Sequence, residues 1–143
     1  MRVTLRRLLV RALSITHLAV QRLTRGRVLD RVAGMPVLLL TTTGRRSGKP
    51  RTRPLTFFRD GPAYVVVASN GGAERAPDWS LNLARNPRAV IVIGRHELRV
   101  TARPATTAER ERLWPQIVAT HTAYARYQER TRRTIPMLVL DPD

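Results

Sequence analysis

From Pro36 onward the chain is cut into short runs of β-branched and apolar residues, each ended by a turn signal. The runs read PVLLLTTT, RTRPLTFF, AYVVVAS, RAVIVIG, HELRVTARP and TIPMLVLDP. Asp60-Gly61 separates the second run from the third, and the fourth passes into the fifth at Gly94. Connections this short make hairpins, so neighbouring strands are antiparallel. A doubly wound parallel sheet needs a crossover of a dozen or more residues between strands, and these pairs have none. The expected class is therefore α+β, with about six mostly antiparallel strands closing into a small barrel.

Three helical segments punctuate the strands. Thr4–Leu23 places Leu5, Leu8, Leu9, Ala12, Leu13, Ile15, Ala19, Val20 and Leu23 on one arc, with Arg6, Arg7, Arg11, His17 and Arg22 opposite, the pattern of an amphipathic helix. PDWSLNLARN is opened by Pro77 and closed before Pro87. Thr106 and Glu109 form a capping box for a C-terminal helix reaching to about Arg130, with His121-Thr122 as a candidate interruption before the last strand. Residues 1–33 are expected as an amphipathic segment and 34–143 as the barrel.

Charge is the second constraint. The 143 residues carry a formal net charge of +16, which calls for an anionic partner: nucleic acid, a membrane surface or an acidic ligand. Residues 1–59 hold fourteen Arg or Lys against the single acid Asp30, so the excess lies in the N-terminal part. Aromatics are 5% of the chain and do not interleave with the basic loop, which argues against a base-stacking nucleic-acid surface. The longest charge-free stretches, such as Val32 to Gly44, run thirteen residues, short of the roughly twenty needed to cross a bilayer. Arg6, Arg7 and Arg11 interrupt the N-terminal apolar positions, unlike a secretory signal. A cytoplasmic location follows as the expectation. The first helix can pack on the domain, or its Arg-rich face can hold the anionic inner face of the cell membrane.

The densest cations sit in TTTGRRSGKPRTRP, Thr41–Pro54, directly after a buried strand. GRRSGK is not a Walker loop: three residues separate its glycines rather than four, and Pro50 replaces the magnesium-binding hydroxyl. No G-x-G-x-x-G occurs. The loop reads either as a solvated turn or as an anion nest flanked by Arg45, Arg46, Lys49 and Arg51. A second stretch, VVVASNGGAERAPDWSLNL, ends a strand in small residues that allow close backbone approach to a flat ligand. Cysteine is absent, and His17, His96 and His121 have no metal-ligand spacing; no metal site is expected. A nucleophile elbow is also missing. An anion cradle without a nucleophile suits a cofactor that carries the chemistry itself.

LLLTTTGRRSGKPRTRPL, VVVASNGGAERAPDWSLNL, NPR and TIPMLVL together resemble the deazaflavin-dependent nitroreductase family, best known from actinobacteria. The resemblance implies a split β-barrel of FMN-binding-like type and coenzyme F420, an 8-hydroxy-5-deazaflavin with an acidic tail. It implies hydride transfer to an apolar acceptor such as a quinone or nitro compound, with an FMN-binding relative as the alternative. By the same resemblance Arg45, Arg46, Ser47, Lys49 and Arg51 hold the phosphodiester and tail. The stretches Thr52, Arg53, Pro54, Leu55, Thr56, then Val67, Ala68, Ser69, Asn70, then Asp78, Trp79, Ser80, Leu81, Asn82 line the ring and ribityl chain. His121, Tyr124 and Tyr127 fall on the acceptor side, His121 standing where nitroimidazole-reducing members have a tyrosine, and Tyr124 reaches the coenzyme as well.

Overall fold

The computed structural model describes residues 31–32 and 35–143. The amphipathic pattern of Thr4–Leu23, and with it most of the expected segment 1–33, lies outside the described residues. Eight strands form one sheet: β1 (Arg31–Val32), β2 (Met35–Thr43), β3 (Pro50–Thr56), β4 (Phe58–Asp60), β5 (Ala63–Val67), β6 (Arg88–Ile93), β7 (His96–Pro104) and β8 (Met137–Pro142). Helices α1 (Asp78–Arg85), α2 (Thr107–Thr120) and α3 (Ala123–Glu129) and a 3-10 turn, Asn70–Gly72, complete the described fold. Every strand pairing is antiparallel.

The ladder runs β3-β2-β6-β7-β8-β5-β4, with β1 pairing the Met35 end of β2. Its two outermost strands, β3 and β4, are separated in the chain by Phe57 alone. A sheet whose opposite edges are one residue apart has to curl until they meet, and that makes the barrel. The run RTRPLTFF, expected as one strand, is thus two. Phe57 breaks it by turning its ring inward, 6% exposed, edge-on to Tyr64 at 5.6 Å, while its N–H donates to Pro36 O at 3.2 Å. With β4 and the two-residue β1 the count exceeds the expected six.

Strand β5 shows why its sequence is apolar throughout. Tyr64 and Val66 join Leu38, Leu40, Ile91, Val100 and Leu140 inside the barrel, while Ala63, Val65 and Val67 join Leu113, Ile117, Ile135 and Val139 beneath the C-terminal helices. A strand covered on both faces has no polar alternation to show. Each fully buried Val or Leu contributes roughly 1.5–3 kcal/mol.

The capping box forms as expected: Thr106 Oγ1 accepts from Glu109 N–H at 3.1 Å, and a Glu109 carboxylate oxygen accepts from Thr106 N–H at 2.8 Å. The C-terminal helical segment is divided at its candidate interruption, His121, whose backbone is extended (φ −139°, ψ 93°) while its N–H still closes α2 onto Ile117 O. Beyond the division α3 packs against the 3-10 turn Asn70–Gly72. No described helix is long and apolar enough to cross a membrane.

Candidate active site

The β2–β3 hairpin ends in a six-residue loop, since Thr43 pairs with Pro50. Gly44 N–H donates to Lys49 O at 2.7 Å and Gly48 N–H to Gly44 O at 2.8 Å. A Cβ on Gly44 would lie 2.7 Å from Ser47 Oγ and 3.1 Å from Lys49 O, so a side chain there would crowd the folded loop. Arg45 is pulled inward: its N–H and its Nη1 both donate to Asn82 Oδ1, at 3.1 and 3.0 Å, and its Nη2 donates to Asp78 at 3.1 Å. Arg45 first, and Arg75 beside it, hold the Asp78 carboxyl below the usual carboxylate range. The N–H groups of Arg46 and Ser47 have no partner among the described residues.

Around this loop opens a cavity of about 390 Å³ lined by Arg45, Arg46, Arg51, Arg53 and Arg75, with Ser47, Asp78, Trp79 and Asn82. Five arginines against one acid give it a strongly positive lining, and Arg46, Arg51 and Arg53 make no ion pair among the described residues. A second cavity of about 430 Å³ continues past Arg53 and Trp79 to Pro54, Leu55 and Asn70. A third, about 360 Å³, carries on from Leu55 and Trp79 to Thr56, Val67, Ser69, His121, Tyr124 and Tyr127. Trp79 lines all three. They form one groove along β3, cationic at one end and aromatic at the other.

At the aromatic end Tyr124 is 7% exposed. Its hydroxyl lies 2.7 Å from Thr56 Oγ1, and its ring meets those of His121 at 5.2 Å, Tyr127 at 5.8 Å and Phe58 at 6.0 Å, all edge-on. Burial pushes the Tyr124 phenol above its ordinary value, with the Thr56 hydrogen bond opposing. The phenol is therefore neutral throughout the physiological range.

Most of the residues singled out in the sequence line this groove, and five do not. Lys49 is exposed and lines none of the three cavities. Thr52 alternates away from Arg51 and Arg53, spending its hydroxyl on Thr41 at 2.7 Å. Ala68 is fully buried in the barrel core. Ser80 donates to Pro77 O at 2.8 Å, and Leu81 is half-buried on α1 without reaching the groove. Contiguous stretches cannot all face one groove, because strand side chains alternate and helix side chains rotate. Gly71, one of the small residues expected to allow close approach to a ligand, lines the groove. Arg75 lines it too without having been singled out, since its type and position in a polar loop set it apart from no other turn residue.

Residues 13–142 match the model of the family described as F420H(2)-dependent quinone reductase. The chain belongs to that family. It is 46% identical over 129 residues, 87% of this chain and 86% of the relative, to an F420H(2)-dependent quinone reductase of Mycobacterium tuberculosis. Among solved structures, an F420-H2 dependent reductase is 38% identical with a TM-score of 0.67, covering 74% of this chain and 94% of its own. Another, described as a domain-swapped dimer, is 35% identical with a TM-score of 0.72, covering 89% of this chain and 96% of its own. The resemblance carried by the GRRSGKPR loop therefore holds, the fold is a split β-barrel, and quinone reduction is the activity the family is described by.

The groove's chemistry fits the coenzyme this family uses. Two loop N–H groups and three arginines without partners among the described residues suit a phosphodiester and an acidic tail. The Trp79, Pro54 and Leu55 walls suit a flat ring.

Proposed function

We infer that this protein is an oxidoreductase that uses reduced coenzyme F420 to reduce an apolar quinone-type acceptor. One observation carries the reading: a single groove joins a five-arginine end to a hydroxyl-bearing aromatic end. When bound, the coenzyme would supply the hydride. The protein's part is to hold, orient and protonate. Arg46, Arg51 and Arg53, with the loop N–H groups, hold the anionic portion. Trp79, Pro54 and Leu55 confine the ring, and alignment within such a slot accounts for most of what a protein contributes to this chemistry. Tyr124 Oη, fixed against Thr56, and the His121 ring stand where a proton can be given to the acceptor.

The test is a titration of the purified protein with coenzyme F420, followed by turnover of menadione with the reduced form. Micromolar binding and menadione-dependent oxidation are expected; absence of binding at those concentrations overturns the reading.

Peripheral attachment to an anionic membrane belongs to the same proposal. It is supported by the sequence pattern of Arg2, Arg6, Arg7, Arg11, Arg22 and Arg25 beside a leucine arc, since each basic residue near an anionic leaflet adds about 1 kcal/mol. Such a position puts the groove beside membrane-dissolved quinones. The full chain should co-sediment with anionic vesicles and release in high salt, whereas a chain starting near Val28 should remain in solution; equal partitioning would overturn the membrane proposal alone.

A further inference from the structure

Arg133 lies outside the groove, yet its guanidinium holds one of the groove's walls. Its Nη2 donates to the carbonyls of Ala68 at 3.1 Å and Ser69 at 3.0 Å, and its Nε to Ala73 O at 2.9 Å. These carbonyls bracket the 3-10 turn Asn70–Gly72, so one planar cation closes the turn from both sides. Planarity matters, because a fork of fixed donors can serve three acceptors that a point charge cannot.

The arginine is itself anchored to α3. Gln128 Nε2 donates to Arg133 O at 2.8 Å, Gln128 Oε1 accepts from Ile135 N–H at 3.0 Å, and Arg133 N–H donates to Thr131 Oγ1 at 3.3 Å. The two walls also meet directly at Gly72. A Cβ there would stand 2.7 Å from Tyr127 O and 3.0 Å from Tyr127 Cα, and Gly72 has φ +83°. The turn sits as near the helix backbone as a residue without a side chain allows.

What these contacts connect is functional. Ser69, Asn70 and Gly71 form one side of the aromatic end, and His121, Tyr124 and Tyr127 form the other. We propose that Arg133 is a positioning residue that sets the width of the acceptor end of the groove by fastening the 68–73 wall to α3. Its catalytic consequence rests on the F420H2 reading above; its mechanical part does not. An arginine that only stabilised the fold would alter melting without separating turnover from coenzyme affinity. A positioning arginine separates them, because the coenzyme's anionic part is held at the opposite end by residues Arg133 does not touch.

The experiment compares wild type, Arg133→Gln, Arg133→Lys and Gly72→Ala. In the ligand-free protein, amide exchange is followed at Gly72 and Ala73, whose N–H groups donate to Ser69 O and Asn70 O. Arg133→Gln should keep the wild-type circular dichroism while these amides exchange faster. Its kcat with menadione should fall by about tenfold to a hundredfold, the scale of an ångström's misplacement, and its coenzyme Kd should stay close to wild type. Arg133→Lys should recover part of that kcat, and Gly72→Ala, which forces the same walls apart, should lower kcat without weakening the coenzyme. If Arg133→Gln does not fold, Arg133→Lys is read for the same quantities. Unchanged exchange, faster exchange with unchanged kcat, or a loss of coenzyme affinity as large as the loss of kcat each overturns the proposal. A wild-type chain that binds no coenzyme F420 overturns the functional reading instead, and the exchange rates still decide whether Arg133 holds this wall.

Discussion

Asn82 Oδ1 accepts two hydrogen bonds from one residue, the backbone N–H and the Nη1 of Arg45, at 3.1 and 3.0 Å. Its Nδ2 donates to Thr42 Oγ1 at 3.1 Å. A side chain of α1 that is 3% exposed thus spans the start of the cationic loop, contacting the strand before it and the first arginine within it. Arg45 is a part of the loop's framework as much as a ligand for an anion.

Replacing Asn82 by Ala should therefore do two things at once. It leaves the Arg45 N–H and the Thr42 hydroxyl without their partner, which costs about 1–3 kcal/mol for groups of this kind, and it lets the loop wander. Denaturant unfolding should show the destabilisation, and coenzyme affinity should fall although Asn82 gives up no charge. Unaltered stability would mean that the loop is held elsewhere.

Arg51 and Arg45 should separate cleanly. Arg51 is exposed and makes no ion pair among the described residues, so Arg51→Ala is expected to weaken coenzyme binding by about 1.5–3 kcal/mol, the scale of a charge-assisted hydrogen bond. Its melting temperature should not move. Arg45→Ala should weaken both. Calorimetric titration beside thermal melts distinguishes the two patterns, and added salt should weaken the contribution of Arg51.

Tyr124→Phe removes a hydroxyl that meets only Thr56 Oγ1 in the described structure. Stability should drop by about 0.5–1.5 kcal/mol, and kcat by about a hundredfold for loss of a general acid. Because burial raises the folded-state value above the ordinary 10.0, the neutral phenol favours the folded chain. That contribution is complete below pH 10 and is lost as pH rises through the folded-state value. Absorbance titration should find this tyrosine ionising after an exposed one; earlier ionisation would contradict the buried placement.

Acid stability is concentrated at the start of α2. Bidentate hydrogen bonding from Arg103, then the Thr106 N–H, pulls Glu109 from 4.5 down to about 2. A depressed carboxyl stabilises the fold above pH 4.5 and loses that contribution as pH falls towards 2. Wild type should lose stability through this window more steeply than Glu109→Gln, which has no carboxylate left to protonate there. Equal acid slopes in urea unfolding would place the sensitivity elsewhere, with Asp60, similarly lowered by Arg112, the next group to replace.

The sequence and the structure agree where a local pattern decides the outcome and part where a distant partner does. AYVVV, the Gly94 hairpin and the Thr106–Glu109 box are local, and each forms as expected. The break at Phe57 is not local: LTFF carries no turn residue, and the strand ends because the barrel interior takes the ring. His121 offered itself as an interruption and is one. In the site, the GRRSGKPR loop announced its charge. The division of labour between Arg45, tied to Asn82, and Arg51, left open, appears only once α1 is docked against the loop. Arg133 was invisible for the same reason: within TRRT it looks like one of two solvated cations, and its three carbonyl partners lie some sixty residues earlier.

Strand β8 sits between β7 and β5, pairing Ala102 with Leu140 on one side and Tyr64 with Leu140 on the other. Until residues 137–142 have left the ribosome, the chain can assemble only two separate ladders, β3-β2-β6-β7 and β5-β4, with no strand to join them. Barrel closure therefore waits on β8, and the long-range pairing it demands makes for slow folding. Until then the hydrogen-bonding edges of β5 and β7 stand open to any neighbouring strand, including that of another copy.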